Sequence, residues 1–569
     1  MIKNYFKIAW RNIVKNKVFS FINIIGLTIG LSASFVIGLM VFYDATFDDF
    51  HQDGDRIYRI VSDFKAPQGT FYNSGVTLAL KDAIAGNSNL ESVVEFYINR
   101  PSKVENKTNN LEFKWPNFVM YTDEGYFDIF KYSFLAGDKS TALDKPNTVI
   151  LTQSRAKQYF PSLTPNDIIG KTLVYNDSIN ITVSGIVENL KNRSDLVFEE
   201  FISHPTLLQT ERRQELLDRA WNNTNSDSQL FVKLAEAGSL NPLKKQLDDL
   251  AIKHTDEDDK KYGTEREFQL QPLDDIHFNE NYGIYDWERA RANKSLLKNL
   301  ALVALFLLLL GCINFINLNT AQASQRSKEI GIRKTLGSSR KQLIKQFLGE
   351  TFLLVLFSAL LSIGLTKWLI NVFSDFVPEG LTFSLFKNPM IIIGIIIVLV
   401  IVTFLSGFYP ALVLSKFNTV SVLKNHINSG ENKVKLRKIL TIFQFTIAQV
   451  FIIGTLLVDK QINFLLNKDM GFKTDAIVSI FSPRSEGELS KKEIYAQKLR
   501  AIPGIKSVSL GGHAPASYSS NTTNVTYIDG DNIIKSEMQF LFATFFSQET
   551  PVQLAYSMRS TAKFGQEKL

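Results

Sequence analysis

The sequence predicts an α-helical transmembrane bundle of five spans that carries a mixed α+β extracytoplasmic domain and a second outer stretch about half as long. Three observations predict it. Uncharged apolar runs of 20 or more residues alternate with ordinary polar sequence, so a mean hydropathy near zero hides two different solvents. The short polar segments between alternate runs are strongly basic. The two long polar stretches show the periodicities of water-soluble helices and strands. A chain of 569 residues has room for three or four domains at roughly 150 residues each, but these runs exclude a single soluble globule. One cysteine, Cys312, excludes a disulfide framework and any multi-cysteine metal or iron–sulfur site. The six histidines include no HExxH-type pair, so the sequence calls for no metal and no cofactor.

A bilayer needs about 20 apolar residues per helix. Five segments meet this: Val18 to Tyr43, Asn299 to Gln325, Thr351 to Phe373, Asn388 to Ser415, and Ile439 to Val458. Only the third contains a charge, Lys367, which follows sixteen uncharged residues and sits late enough for its stem to reach the interface. The first segment is about twice as long as the 7–15-residue apolar region of a signal peptide and lacks an A-x-A site, which makes it a retained helix.

Lysine and arginine in short loops set the orientation. Residues 1–17 carry a net +5, residues 321–346 a net +6 and residues 416–438 a net +5, so the rest of a chain of net charge +7 is negative. The three basic segments alternate with the spans as one topology requires. They are expected in the cytoplasm of a multi-pass inner-membrane protein, with the N-terminus inside and the stretches 44–298 and 459–569 outside. The pI near 9 reflects this asymmetry and gives no support to nucleic-acid binding.

Each segment has its own logic. Residues 1–17 place Lys3, Lys7, Arg11 and Lys15 at four-residue spacing with Trp10 among the apolar residues opposite, an amphipathic helix suited to the anionic lipids of the inner leaflet. In the first span Gly26, Gly30, Ser34 and Gly38 are four apart, a spacing that lets helices approach closely. The stretch 44–298 reads as mixed α/β. Leu173–Tyr175 and Ile179–Val183 flank Asn176-Asp177-Ser178 as a hairpin, and Ser154–Phe160 and Asn241–Ile252 have helical periodicity, the latter with Leu243, Leu247 and Leu250 on one face. The acidic run Asp256-Glu257-Asp258-Asp259 reads as solvated surface. The loop 321–346 contains a short cationic helix in which Ile330, Ile332 and Leu336 are expected to face inward and Gly331 and Gly337 to permit close packing or a turn. A peripheral protein could grip such a surface.

That loop, with Glu329-Ile-Gly-Ile-Arg-Lys-Thr-Leu-Gly337, resembles the EIGIRKxLG coupling segment of the macrolide-exporter/FtsX-like permeases of ABC transporters. The likeness extends to FKIAWRNIVKNKVFSFINIIGLTIGLS (Phe6 to Ser32), FHQDGDRIYRI (Phe50 to Ile60), FKYSFLAGD (Phe130 to Asp138), VILTQSRAKQYF (Val149 to Phe160), GIVENL (Gly185 to Leu190), DDIHF (Asp274 to Phe278), QFLGE (Gln346 to Glu350), SGFYPALVLSKF (Ser406 to Phe417) and RKILTIFQFTIAQ (Arg437 to Gln449), and reaches to about residue 543. After Leu190 the family shows a Pro and a Ser-His pair, where this chain has Lys-Asn-Arg-Ser-Asp.

The resemblance implies a core domain at 44–298, a three-helix permease module at 299–415, a cytoplasmic linker at 416–438, a fifth helix at 439–458, a partial second outer domain at 459–543 and an aberrant tail at 544–569. Relatives of this architecture have eight helices, so a frameshift or premature stop is expected, and a second permease copy would supply a second coupling element. The resemblance further implies that the chain is a non-catalytic permease subunit. No GxxxxGK[ST] loop occurs in it, and a separate ABC-type ATPase would press on Glu329, Ile330, Ile332, Arg333, Lys334 and Leu336. Three functions follow for comparison. One is export or extraction of a lipophilic or peptide client by mechanotransmission. Another is ATP-driven regulation of a periplasmic partner such as a cell-wall hydrolase. The third, a tethered sensor without an ATPase, leaves the structured basic loop unexplained.

Overall fold

The computed structural model describes the chain apart from residues 1–10, 12–13, 16, 67–68, 211, 256–262, 287–288, 290, 379, 382, 384–388, 416–430, 469–477, 481–488, 512–520, 530–531, 547–550 and 558–569. Lys3, Lys7, Trp10, the acidic run at 256–259 and most of the 416–438 linker therefore lie outside the described residues. The chain divides into two units, one comprising residues 1–47 and 292–470, the other 48–291 and 471–569.

The first unit is helical. Its elements are α1 (Lys17–Ala45), α2 (Lys294–Ala321), the short α3 (Ala323–Thr335), α4 (Arg340–Val372), α5 (Pro389–Ser415) and α6 (Glu431–Asn467). All but α3 are long and apolar enough to cross a membrane. They overlap the five expected spans, but α2, α4 and α6 begin earlier than expected, because their polar feet continue the helix beyond the apolar run, and α2 stops at Ala321 where the expected span ran to Gln325. The helices α1, α2, α4 and α5 enclose a core of Leu27, Leu31, Phe35, Cys312, Phe315, Leu354, Val355, Ala359 and Val402.

The small residues of α1 set its closeness to α2. A Cβ on Gly26 would meet the Asn314 amide at 3.1 Å, one on Gly30 would meet the Leu307 carbonyl oxygen at 3.2 Å, and Ser34 Oγ donates to the Ala304 carbonyl at 3.0 Å. Gly38 faces open space and takes no part. Hydroxyls also tie α1 to α4: Thr28 Oγ1 donates to the Ser358 carbonyl at 3.3 Å, and Ser358 Oγ donates to that of Ile24 at 3.2 Å. In an apolar medium such contacts replace the hydrophobic drive that holds soluble helices together. Along α5, Gly407 packs where any Cβ would come 2.8 Å from Thr351 Oγ1, and Pro410 lies buried within the helix. The helix α6 touches this group lightly, with Asn317 Nδ2 3.5 Å from Thr441 Oγ1 and the Phe306 and Phe451 rings 6.2 Å apart.

In the second unit, residues 57–272 build a thirteen-stranded mixed sheet. Its middle runs Ile57–Ala66, Ser228–Leu234, Leu90–Asn99, Val119–Thr122, Glu200–Ser203, Thr148–Thr152, Ile179–Val187, with Glu265–Pro272 on one edge. Parallel pairing occurs between Glu200–Ser203 and Val119–Thr122 and between Ile179–Val187 and Thr148–Thr152. The expected hairpin is present, with Tyr175 opposite Ile179 and with Asn176 and Asp177 in the left-handed region, which these residues tolerate. The expected helices appear as Gln153–Tyr159 and Leu240–Lys253, the second burying Leu243, Leu247 and Ala251. A core of Phe96, Tyr126, Phe127, Phe130, Phe198, Phe201, Phe231 and Tyr285 fills one face. Beyond residue 471 a four-stranded sheet includes Asn521–Asp529, Asn532–Phe546 and Pro551–Ser557, so a strand runs through the boundary expected at 543.

Buried charge is concentrated in this domain. Glu200, fully enclosed, accepts hydrogen bonds from the Tyr159 and Tyr175 hydroxyls at 2.5 Å each and lies 3.2 Å from Arg155 Nε. Glu95, 2% exposed, has Oε2 3.0 Å from Arg219 Nη2, while Oε1 has no partner, and burial pushes its pKa up to about 7. A carboxyl raised in the folded state stabilises fully below its unfolded pKa of 4.5 and loses that contribution as pH rises through about 7. We predict that Glu95→Gln removes this dependence and stabilises the chain at pH 8 by roughly 3 kcal/mol, read by thermal unfolding of the solubilised protein between pH 5 and pH 8.

Candidate functional site

The short basic helix α3 is the most constrained element between the long helices. A single residue, Gln322, separates it from the end of α2. Its end is set by Gly337 at φ +92°: the Ser338 N–H donates to the Arg333 carbonyl at 3.0 Å and the Gly337 N–H to that of Lys334 at 3.1 Å, a Schellman arrangement that uses up the last carbonyls. Two residues later Ser339 caps α4, with Gln342 completing a reciprocal capping box. Glycine and serine thus turn the chain within Leu336–Ser339 while satisfying the Arg333 and Lys334 carbonyls and the Ser339 and Gln342 N–H groups.

The helix has two faces. Arg326, Ile330 and Lys334, each four residues on from the last, form an inner seam. Ile330 is 2% exposed and packs with Leu343 and Phe347 of α4 and Ala411 and Leu414 of α5. Arg326 Nη1 lies 3.2 Å from Glu350 Oε2, whose other oxygen accepts from Gln346 Nε2 at 3.0 Å. Lys334 Nζ donates to the Ser415 carbonyl at 2.8 Å, the last residue of α5, where a cation also suits the helix dipole. The outer stripe consists of Ile332 and Leu336, edged by Glu329 and the partly buried Arg333. Glu329 and Arg333 pair with each other one turn apart, Ile332 is 56% exposed and Leu336 81% exposed.

The six residues read as one contact surface therefore divide. Ile330 and Lys334 point into the module, Ile332 and Leu336 point away from it, and the Glu329–Arg333 pair lies at the boundary, with Arg333 25% exposed. Ile332 and Leu336 do not face inward as expected, because at 100° per residue Ile332 lies 200° round from Ile330. The sequence reading passed over Arg326 and Glu350 as structural partners. A lone carboxylate at the foot of a sixteen-residue uncharged run demands a cation, and that was the available signal.

Of the membrane-surface residues, Arg11 and Lys15 are helical and exposed. In the α/β domain two histidine–carboxylate contacts are buried. His51 Nε2 is 3.2 Å from Asp48 Oδ1, and His277 Nδ1 is 3.0 Å from Asp195 Oδ2, a carboxyl raised mainly by burial. Among the described residues no cluster of three or more His, Cys, Asp or Glu side chains is arranged to hold a metal ion.

Comparison with known proteins covers both units. Residues 20–250 match the family model for a MacB-like periplasmic core domain and residues 301–419 that for the FtsX-like permease C-terminal region. The macrolide export ATP-binding/permease protein MacB of Neisseria meningitidis is 24% identical over 305 residues, which are 53% of this chain and 42% of that protein. The match thus spans less than half of that relative's length. The ABC transporter permease YvrN of Bacillus subtilis, itself uncharacterized, is 22% identical over 445 residues, 74% of this chain and 99% of YvrN. A crystal structure of a permease-protein domain from Porphyromonas gingivalis aligns with a TM-score of 0.34 and 21% identity over 42% of this chain and 95% of that one.

The two faces of α3 predict opposite responses to truncation. Ile330→Ala should cost about 2–5 kcal/mol by leaving a cavity between α4 and α5. Ile332→Ala should stay within about 0.5 kcal/mol of the parent. Thermal unfolding of the detergent-solubilised chain measures both.

Proposed function

We propose that this chain, which belongs to the macrolide-exporter/FtsX-like permeases of ABC transporters, couples ATP hydrolysis in a separate subunit to movement of its extracytoplasmic α/β domain. The observation that carries the reading is the division of α3. One face is fixed to α4 and α5, and the other offers two large apolar side chains, Ile332 and Leu336, beside the Glu329–Arg333 pair. An apolar centre bordered by charged residues is the general anatomy of a protein–protein interface. The likeness over nearly all of YvrN, a protein named as a permease alone, supports an ATPase on a different chain.

In this reading α3 and the N-terminus face the cytoplasm, as the positive-inside pattern requires. Closure of the ATPase on nucleotide pushes α3, and the bundle transmits the push. The chain runs from α1 directly into the α/β domain at Asp48 and returns from Arg291 into α2, so tilting of these two helices is delivered to both ends of that domain. The domain then extracts or expels a lipophilic or peptide client.

Affinity capture of the tagged chain from membranes should bring down an ABC-type ATPase. Ile332→Glu combined with Leu336→Glu should cut that capture by more than about tenfold, since each anchor of a hot spot contributes about 2 kcal/mol or more. Unchanged capture would refute the contact. Deletion of the chain should raise sensitivity to lipophilic drugs or peptides. A defect in cell separation or lysis instead would point to control of a cell-wall hydrolase.

A further inference from the structure

We infer that the Arg326–Glu350 ion pair is the strut that makes α3 and α4 move as one body, positioning the outer stripe of α3 and passing its displacement into the bundle. This rests on the coupling role proposed above and names the residues that carry it.

Each member of the pair is badly placed on its own. Arg326 is the fourth residue of α3, in the first turn, where the helix dipole disfavours a cation. Glu350 stands at the foot of the uncharged run of α4 and its side chain is only 8% exposed, a costly position for a lone carboxylate. Each is accounted for by the other. Both carboxylate oxygens are engaged, one by Arg326 at 3.2 Å and one by Gln346 at 3.0 Å.

The pair also stands where helices converge. It borders a cavity of about 20 Å³ whose other polar walls are Ser20 of α1, Asn319 of α2 and Thr351 of α4, with Gly407 and Pro410 of α5 closing it. That volume exceeds the 10–15 Å³ or so that one water needs. Four of the long helices therefore meet within reach of the same two charges.

The remaining inner contacts resist displacement less. Ile330 sits in an apolar pocket, and apolar contact has no direction, so it tolerates sliding. Lys334 holds a main-chain carbonyl through a flexible four-carbon stem. The Arg326 Nη1–Glu350 Oε2 contact is a charge-assisted hydrogen bond to a nearly buried carboxylate, stronger than a neutral one and directional where apolar contact is not.

The test uses the full chain in lipid nanodiscs with Cys312→Ser and nitroxide labels on Ile332→Cys of α3 and Leu360→Cys of α4, both exposed sites. Pulsed electron paramagnetic resonance gives the distance distribution between them. The parent should show one narrow peak. Glu350→Gln keeps the shape but removes the charge and should lose that peak, and Arg326→Gln should do the same. The exchange Arg326→Glu with Glu350→Arg should restore it, which a residue acting through packing alone would not do. A narrow peak that survives in Glu350→Gln overturns the inference, as does an exchanged variant that stays as broad as the single ones. ATPase capture by the parent chain is scored separately. Its failure removes the partner but leaves the distance result standing.

Discussion

A short helix between two membrane spans must hold on with one face to leave the other open, and the inner seam of α3 is how this chain does it. Arg326, Ile330 and Lys334 supply an ion pair, an apolar plug and a bond to a helix-end carbonyl along two turns. Because these three use the inner side, Ile332 and Leu336 are left pointing outward, with the Glu329–Arg333 pair at the edge. The exposed stripe follows from the buried seam. The tight Schellman-to-capping-box turn at Leu336–Ser339 then fixes where α4 begins relative to α3.

The bundle is built to pass on such a constraint. Close approach at Gly26 and Gly30 and hydroxyl-to-carbonyl bonds between α1 and α4 replace soft side-chain packing with contacts that involve the main chain. Packed interfaces of this kind shift as units rather than deforming gradually. The α/β domain is stiff for a different reason: its aromatic core and its enclosed Glu200, held by two tyrosines and an arginine, resist rearrangement.

How much of this was legible in the sequence depended on whether the signal was local. The five long helices were, since an uncharged run needs no partner to announce itself. So were the Asn176–Asp177 hairpin and the helix at Leu240–Lys253, each encoded within a few residues of itself. The strand order was not, because Ile57–Ala66 pairs with Glu265–Pro272 some two hundred residues away and no periodicity records that. At the candidate site the sequence identified α3 and its residues but not their facing. Ile330 and Ile332 are the same residue type two positions apart. Only the partners of Arg326 and Lys334 on α4 and α5 reveal which side is inner. Family likeness marked QFLGE and SGFYPALVLS as motifs without saying why. Their residues Gln346, Phe347, Glu350, Gly407, Pro410 and Ser415 are the ground on which α3 and its neighbours pack.

The central claim is that the outer stripe of α3 faces the compartment that holds ATP. In a Cys312→Ser background, Leu336→Cys can be probed with a membrane-impermeant maleimide on intact spheroplasts and on inverted vesicles. The account predicts labelling of inverted vesicles and none of spheroplasts, and the reverse for a cysteine at exposed Leu163 of the α/β domain. Labelling of Leu336→Cys from the outside of intact spheroplasts would contradict it.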